Sequence, residues 1–269
     1  MNHIPKLDVV IVNYNSGHAL EKCIETLSAS NSSQLNIIVV DNGSQDDSLQ
    51  AIKYQYDGVN VIENTLNVGF AKACNFAAKI GQAHYLAFIN PDCFVSSEQL
   101  LQLVKSLEND PSAALVGCRV LNDDGSLQAA SRRRPPTLWR VFVHMTHLDF
   151  LPGLKGINLK DNGLFDEIQR VEAVNGACML LKRDAFNAVN GFDEAYPLHF
   201  EDLDMFAKLL KANQNILYDS DVAVRHIKGH SSQNEKKIKA WKKQGLLRYF
   251  KKHRPHWEYA VIKFILGSR

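Results

Sequence analysis

The chain has 269 residues, of which 45% are hydrophobic and 22% charged. These proportions are typical of a globular domain and exclude an intrinsically disordered or low-complexity chain. No apolar run approaches the ~18–20 residues that a membrane-spanning helix needs, and the first seven residues lack a signal-peptide apolar stretch, so we expect a cytoplasmic protein.

The formal net charge of +2 is unevenly distributed along the chain. Residues 225–269 contain 13 Lys and Arg against two Asp and Glu, a net charge of +11, which leaves −9 for the first 224 residues. A basic tail on an acidic body predicts an anionic partner for the tail. The five cysteines form no C-x-x-C pair, and we expect them to be free thiols in a reduced interior.

Short apolar runs alternate with helical patterns through the first half of the chain. We predict buried strands at 8–13, 36–40, 59–62, 84–89 and 113–118. We predict helices around 20–27, from 47 or 48, at 70–80 and from 96 to about 107. Ser16 is expected to cap the first helix, Gly81 to close the third, and Ser96 with Gln99 to form a capping box. This alternation predicts an α/β fold with a mostly parallel central sheet flanked by helices.

The second half begins with a loop-rich insertion at 128–167, which holds Arg132-Arg133-Arg134-Pro135-Pro136. Regular structure is expected to resume at 171–181. Helices at 184–189 and 201–212 and an extended segment at 215–224 are predicted to follow. The tail after Ser231 has a helical, amphipathic pattern.

Polar clusters follow strand after strand at the predicted carboxyl ends. They are Asn13-Tyr14-Asn15, Asp41-Asn42-Gly43-Ser44, Asn64 to Asn67, and Asn90-Pro91-Asp92. Any one of them alone is explained as a capped turn. In open α/β sheets, however, ligands bind beyond the carboxyl ends of the strands, so four clusters at one edge predict a binding site. The chain has neither the G-x-G-x-x-G of dinucleotide dehydrogenases nor a P-loop.

Two later segments carry acidic or histidine side chains. His199-Phe200-Glu201-Asp202-Leu203-Asp204 opens a predicted helix, whose dipole favours carboxylates in the first turn, so plain helix capping is the alternative to a catalytic role. Arg225-His226-Ile227-Lys228-Gly229-His230 follows an extended segment. His230 is more simply read as an ordinary surface or core histidine.

The ordered set of segments resembles the inverting glycosyltransferases of family 2, which have the GT-A fold, and most closely their bacterial rhamnosyltransferase-like branch. The matching segments are Val9–Asn15, Val40–Ser44, Asn67–Ala71 with Asn75, Leu86–Asp92, Val174–Leu180, Gly191–Glu194, Phe200–Asp204 and His226–Ser231. They extend over residues 9–231. Single motifs are weak, but their order and spacing are specific.

The resemblance implies roles for the donor side of the site. Asp41 would be the nucleobase-binding acid, with Asn13 and Asn15 lining the nucleotide pocket. The ribose-diphosphate side would be shaped by Asn67, Gly69 and Asn75.

Asn90-Pro91-Asp92 stands where the family often has Asp-x-Asp. The resemblance implies that Asp92 is the main carboxylate ligand of a divalent metal, Mg²⁺ or Mn²⁺, with Asn90 beside the donor. His226 is similar to a late metal-ligating histidine of some members. Such a metal would neutralise the charge that develops on a diphosphate leaving group.

The acceptor side is implied in the same way. Asp202 matches the family's general base, and Glu201 would orient the acceptor. Asn175 and Gly176 would border the sugar pocket. Attack opposite the leaving group would invert the anomeric centre in one displacement.

The predicted organisation is a GT-A domain over 1–231, with a nucleotide-binding half at 1–118 and an acceptor-binding half at 119–231, followed by a basic amphipathic helical tail at 232–269. The tail's aromatic residues are Trp241, Tyr249, Phe250, Trp257 and Tyr259. They favour either a peripheral contact with the inner face of an anionic membrane or packing on the domain or on the second subunit of a homodimer. A nucleic-acid partner is disfavoured, because no nucleic-acid-binding module accompanies the charge.

We therefore predict transfer of a sugar from a nucleotide-sugar, dTDP-rhamnose or a UDP-hexose, to a hydroxyl of a saccharide or lipid-linked saccharide in cell-surface polysaccharide biosynthesis. The alternative is a non-catalytic protein of the same fold that binds nucleotide-sugar or saccharide. A sugar nucleotidyltransferase would need an N-terminal glycine-rich loop with Arg and Lys, which 13–18 lacks.

Overall fold

The computed structural model describes residues 6–29, 33–53, 55–56, 58–148, 151, 153–159, 168–227 and 235–267. Their strands are β1 (Leu7–Asn13), β2 (Leu35–Asp41), β3 (Val59–Glu63), β4 (Tyr85–Ile89), β5 (Cys93–Phe94), β6 (Ala113–Leu121), β7 (Arg132–Arg133), β8 (Gln169–Val171), β9 (Ala173–Val174), β10 (Cys178–Lys182) and β11 (Asn215–His226). Their helices are α1 (His18–Ser28), α2 (Ser48–Lys53), α3 (Phe70–Ile80), α4 (Ser97–Asn109), α5 (Leu138–Met145), α6 (Arg183–Ala188), α7 (Glu201–Lys211), α8 (Glu235–His253) and α9 (His256–Gly267).

The predicted helix ends are confirmed in part. The capping box of α4 is present, because Ser96 accepts the N–H of Gln99 and the Gln99 side chain accepts the N–H of Ser96. The prediction that Ser16 caps α1 is wrong. Gly17 precedes that helix without a side-chain cap, since the Ser16 hydroxyl donates to the side chain of Asn13.

Gly81 follows α3 as predicted, but for a different physical reason. Its backbone is extended (φ −70°) rather than left-handed. A Cβ at this position would lie 2.1 Å from the Asp8 carboxylate, so glycine is required by the close approach of that buried side chain. Asp8 in turn accepts from Arg183, which ties α6 to the start of β1.

The nine-stranded main sheet has the order β3-β2-β1-β4-β10-β6-β11-β5, with β8 paired to β11. The predicted parallel alternation is confirmed for β1 to β4 and for the β6–β11 pair. β10 runs antiparallel to both of its neighbours, because the chain enters it from the edge at which β4 and β6 end. The carboxyl ends of β1, β2, β4, β6 and β11 and the start of β10 therefore meet at one edge of the sheet.

Buried apolar residues form two clusters, one on each face of the main sheet. One cluster joins the sheet to α1, α2 and α4, and the other joins it to α3, α6, α7 and the tail helices. All five cysteines are buried as free thiols. The sheet is thus covered by helices on both faces, as the sequence predicts.

The basic tail packs on the domain through α8. Tyr249 and Phe250 are fully buried, which stabilises this contact by roughly 1.5–3 kcal/mol for each side chain. Arg248 donates to both oxygens of Asp193 at 2.7–3.0 Å. His253 Nε2 lies 2.7 Å from the buried carboxylate of Asp204 on α7. Part of the tail's positive charge is therefore neutralised inside the protein.

Within the described ranges, no helix is both long enough and apolar enough to cross a bilayer.

Candidate active site

A cavity of about 220 Å³ opens at the edge where β1, β2 and β4 end. Its lining residues come from loops after these strands, from the start of α3, from the turn before α7 and from α8. They are Val12, Tyr14, Ser16, Asn42, Asn67, Gly69, Phe70, Asn90, Pro91, Asp92, Pro197, Leu198, His199 and Trp241. Four predicted site residues, Asn67, Gly69, Asn90 and Asp92, are among them.

Asn13 and Asp41 lie beneath the cavity rather than on its wall. Both are buried, and Asn13 Nδ2 donates to Asp41 Oδ1 at 2.7 Å. Asp41 also accepts from the Ser44 hydroxyl at 2.6 Å and from the N–H groups of Gly43 and Ser44 at 3.1 and 3.0 Å. These bonds hold the loop after β2, whose residue Asn42 reaches the cavity. The nucleobase contact of Asp41 stays a prediction.

Asn15 has a supporting position as well. Its backbone is left-handed (φ 50°), its N–H donates to Ser44 Oγ at 2.9 Å, and its side-chain oxygen accepts from the N–H of Gln45 at 2.7 Å. Asparagine tolerates this conformation better than most residues do. Asn15 thereby ties the loop after β1 to the loop after β2, while its neighbours Tyr14 and Ser16 face the cavity.

Asn67 and Gly69 form the turn that leads into α3. Asn67 Oδ1 accepts the N–H of Gly69 at 2.9 Å, and Gly69 has a positive φ of 90° that favours glycine. No side chain caps α3. The positive end of this helix dipole therefore faces the cavity, which suits an anionic ligand such as a diphosphate.

Asn75 does not line the cavity. Its side-chain nitrogen donates to Phe192 O at 2.9 Å and to Glu194 Oε1 at 3.0 Å, and its oxygen accepts the N–H of Phe192 at 2.8 Å. In this structure Asn75 fastens the 191–194 loop to α3, away from the position predicted for the ribose-diphosphate.

Asp92 and His226 meet at the rim of the cavity. The His226 Nε2 and Asp92 Oδ1 atoms are 3.2 Å apart. His226 is the last residue of β11, and its backbone pairs with Cys93, the residue after Asp92. Asn90 Nδ2 lies 3.5 Å from the same imidazole nitrogen. Residues more than 130 positions apart in sequence are thus brought together as predicted.

Gln128 orients His226 from the other side. Its Oε1 lies 3.3 Å from His226 Nδ1, and its Nε2 donates to the His226 carbonyl at 2.8 Å. The two contacts fix the orientation of the imidazole ring, with Nε2 turned toward Asp92. The same Gln128 oxygen accepts from Asn175 Nδ2 at 3.3 Å. Asn175 therefore supports the histidine rather than the cavity wall.

Gly176 and Asp202 are in close contact next to this group. A Cβ on Gly176 would lie 2.7 Å from Asp202 Oδ2, so only glycine admits the carboxylate here. Asp202 accepts from Arg133 Nη2 at 2.5 Å, and Arg133 also donates to Val174 O. The side chains of Arg133 and Asp202 are each 14% exposed. The guanidinium of Arg133 thereby fixes the position of the Asp202 carboxylate.

Glu201 is buried and points away from solvent. Its exposed fraction is 8%, and its Oε2 atom has no hydrogen-bond partner among the described residues. Burial, with the adjacent Asp202 carboxylate, raises the pKa of Glu201 to about 8. At neutral pH it is mostly protonated, and its burial does not place it against an acceptor.

The turn before α7 is strained. His199 and Phe200 both have left-handed backbones, with φ of 65° and 71°, a conformation that costs non-glycine residues of order 1–3 kcal/mol each. Burial, with nearby Lys242, lowers the pKa of His199 to about 4, so its imidazole is neutral at pH 7. Gly245 of α8 lies against this turn, since a Cβ there would be 3.0 Å from His199 O.

Gln128, Arg133, His199 and Trp241 are site residues that the sequence analysis did not identify as such. Arg133 lies in the segment that was predicted to be a loop-rich insertion, and Trp241 in the tail. The Arg-rich run and the tail's aromatic residues were visible signals, but neither indicates a location at the cavity. His230 and the rest of the 228–231 segment lie outside the described residues.

The chain is similar to known glycosyltransferases in sequence and in fold. Residues 8–188 match the model of the glycosyl transferase family 2. Over 238 residues, 84% of this chain and 77% of the relative, the sequence is 29% identical to the N-acetylglucosaminyl-diphospho-decaprenol L-rhamnosyltransferase of Mycobacterium tuberculosis. It is 26% identical over 256 residues, 91% of this chain and 93% of the relative, to the rhamnosyltransferase WbbL of Escherichia coli K12.

The fold is similar to that of a mannosyltransferase, PcManGT from Pyrobaculum calidifontis, solved in complex with GDP-Man and Mn²⁺. The TM-score is 0.61 at 17% identity, over 93% of this chain and 64% of that chain. This likeness confirms the GT-A fold that the sequence predicts. On the family match and the rhamnosyltransferase relatives together, the chain belongs to glycosyltransferase family 2 and is a rhamnosyltransferase-like glycosyltransferase.

Proposed function

We propose that this glycosyltransferase moves a sugar, with inversion, from dTDP-rhamnose or a UDP-hexose to a hydroxyl of a lipid-linked saccharide. The observation that carries the proposal is the Asp92–His226 pair, 3.2 Å apart at the rim of a cavity that the turn into α3 also lines. The rhamnosyltransferase relatives support the deoxyhexose donor, and the decaprenol-linked substrate in one relative's name supports a lipid-linked acceptor.

The residues present fit a divalent metal. One carboxylate oxygen and one imidazole nitrogen suit Mn²⁺, and Mg²⁺ accepts the carboxylate with phosphate oxygens. No group of three or more His, Cys, Asp and Glu suited to a metal occurs in the described part of the chain, so phosphate oxygens and water would complete the coordination. When bound, the metal supplies positive charge to the leaving diphosphate.

The donor is held by the chain's own groups in this proposal. The α3 N-terminus and the Asn67–Gly69 turn bind the diphosphate through backbone N–H groups. Tyr14 and Trp241 offer aromatic surface on the cavity wall, and Asn42 and Asn90 offer amides for the hydroxyl groups of sugar and ribose. Asn13, Asn15 and Asp41 keep the loops beneath in position.

Asp202 is the proposed general base. Its place three residues after cavity-lining His199, with its carboxylate held in position by Arg133, suits removal of a proton from the acceptor hydroxyl. The deprotonated oxygen then attacks the anomeric carbon as the bond to the diphosphate breaks. We assign Glu201 a supporting role, because a neutral neighbour does not add a second negative charge beside Asp202.

A cytoplasmic location, at the inner face of the membrane that holds the acceptor, belongs to the same proposal, as does the absence of a nucleic-acid partner. Homodimerisation through the tail is no part of it, since the buried tail aromatics pack on their own domain.

The test is release of nucleoside diphosphate from dTDP-, UDP- and GDP-sugars, with Mg²⁺, Mn²⁺ or EDTA and a lipid-linked acceptor. Asp92→Ala should abolish metal-dependent release. Asp123→Ala, a change of the same type at an exposed position, should leave release unchanged. Equal release by Asp92→Ala and the wild type would contradict the proposal.

A further inference from the structure

Two neighbouring helices, α5 and α9, expose large apolar side chains beside one another. The Leu138 N–H donates to Glu258 Oε2 at 3.3 Å, which joins the starts of the two helices. Trp139 directly follows Leu138 and is 56% exposed. Trp257 directly precedes Glu258 and is 63% exposed. The junction of the helices is therefore marked by two exposed tryptophans.

The exposed residues continue along one face of each helix. On α5 the face is Trp139, Phe142 and Met145, and on α9 it is Trp257, Val261, Phe264 and Ile265. Their spacings of three, four, seven and eight residues are those of a helical stripe. The opposite sides carry Val141, Val143 and Ile262, which are buried in the core. Single exposed apolar residues are ordinary, but seven on two adjoining helices indicate an interaction surface.

Exposed lysines occur on α9, on α8 and in the segment after α5. Lys251 and Lys263 are exposed on the tail helices, and Lys155 is exposed in the segment after α5. Arg248 and Lys252 are engaged by Asp193, but Lys237, Lys239 and Lys242 of α8 are exposed as well. Exposed tryptophans together with exposed lysines match the headgroup region of an anionic bilayer, where indole rings reside and basic side chains are attracted.

We propose that the α5–α9 face docks the protein on an anionic phospholipid bilayer, with Trp139 and Trp257 in the headgroup region. The inference rests on the lipid-linked acceptor of the proposed function. It differs from a contact made by the tail's aromatics in general, because Tyr249 and Phe250 are buried and Trp241 lines the cavity. Trp241 precedes the end of α8 by 12 residues, about 18 Å along the helix, so docking brings the cavity near the membrane surface.

The experiment is co-sedimentation of the full chain with phosphatidylcholine vesicles, with and without phosphatidylglycerol. We compare the wild type, the double variant Trp139→Ser/Trp257→Ser, and Phe76→Ser, an exposed aromatic on α3 that serves as the matched control. The wild type and the control should bind the anionic vesicles, and the double variant should bind them at least about tenfold more weakly, because it loses two interfacial indoles. Thermal unfolding checks that the double variant folds.

Transfer assays separate this inference from the proposed function. With an acceptor held in vesicles the double variant should be slower, and with a water-soluble short-chain acceptor it should match the wild type. Vesicle binding by the wild type that is equal in the double variant would overturn the proposal, as would no binding at all. Self-association of the wild type that the double variant abolishes, without vesicle binding, would instead assign the face to a second copy.

Discussion

The two sides of the cavity are built differently. On the donor side, Asn13, Asn15 and Asp41 are buried or partly buried, and their polar atoms are engaged by neighbouring loops. On the proposed acceptor side, His199 and Phe200 have consecutive left-handed backbones, and a buried carboxyl oxygen of Glu201 has no hydrogen-bond partner among the described residues. Asn15 on the donor side is also left-handed, but asparagine tolerates that conformation. Strain and unsatisfied polar groups often persist at functional sites, so this difference supports the proposal that the acceptor side holds the base and that the donor-side residues act as scaffold.

The largest effect should come from Asp202→Asn. Removing the proposed base should lower kcat by about 10²–10⁴-fold, because the acceptor hydroxyl then keeps its proton. Donor affinity, measured by calorimetry, should change little. Asp221→Asn, the same change at an exposed aspartate, is the control. If Asp202→Asn transferred sugar as fast as the wild type, Asp202 would not be the base, and the acceptor side would no longer differ from the donor side in this respect.

Gln128→Ala should weaken the metal site through His226. Loss of the partner at Nδ1 frees the imidazole to rotate, and such outer partners are worth about 10–100-fold in metal affinity or activity. Titration with Mn²⁺, followed by electron paramagnetic resonance, measures the change. Gln102→Ala, on the exposed side of α4, should bind Mn²⁺ as the wild type does. Unaltered affinity in Gln128→Ala would show that His226 needs no such orientation.

Glu201→Gln should change stability in a pH-dependent way. The folded pKa of about 8 lies above the ordinary value of 4.5, so the folded state holds the extra proton between these values and the wild type loses stability as pH rises through this window. The free energy of unfolding of the glutamine variant, relative to that of the wild type, should therefore increase from pH 5 to pH 8. The titration of Asp204 does not contribute to this pH dependence. Although burial opposes it, the hydrogen bonds from His253 and Lys252 lower the pKa of Asp204 to about 2, below this window.

Chemical unfolding at several pH values tests that prediction. A constant difference between Glu201→Gln and the wild type would mean that Glu201 is not held neutral by its surroundings.

The smallest effect should come from Gly245→Ala. The added methyl group would meet Phe200 Cδ2 at 2.9 Å and His199 O at 3.0 Å, so α8 must shift slightly. The clash should lower the stability of the fold by about 1–3 kcal/mol, and the higher helix propensity of alanine should restore about 1 kcal/mol. We expect a few-fold higher donor KM because Trp241 moves with α8, and an unchanged KM would show that α8 does not shape the cavity.

The parts predictable from sequence were those with local signals. Apolar periodicity predicted β1 to β4 and α3, and the strand-end polar clusters predicted the edge that holds Asn67, Asn90 and Asp92. The direction of β10 was not predictable, because nothing in an apolar run specifies whether its neighbours are parallel. The turn of His199 and Phe200 was missed as well, because the segment contains no glycine to signal a left-handed backbone and tertiary packing imposes that conformation.

Contacts between residues far apart in the chain could not be predicted from the sequence either. Arg133 meets Asp202 across 69 positions, and Gln128 meets His226 across 98. Arginine and glutamine are common on protein surfaces, so their presence in the sequence does not indicate such partners. The tail shows the same limit, since its charges indicated an external partner while Arg248 and His253 bind the carboxylates of Asp193 and Asp204 within the domain.

Asp92 and His226 are proposed to bind a metal together with the donor diphosphate. Calorimetric titration of dTDP and UDP, with Mn²⁺ or with EDTA, into the wild type and Asp92→Ala tests this most directly. We predict that Mn²⁺ strengthens nucleotide binding by the wild type and leaves binding by Asp92→Ala unchanged. An equal effect of Mn²⁺ on both proteins would contradict the claim.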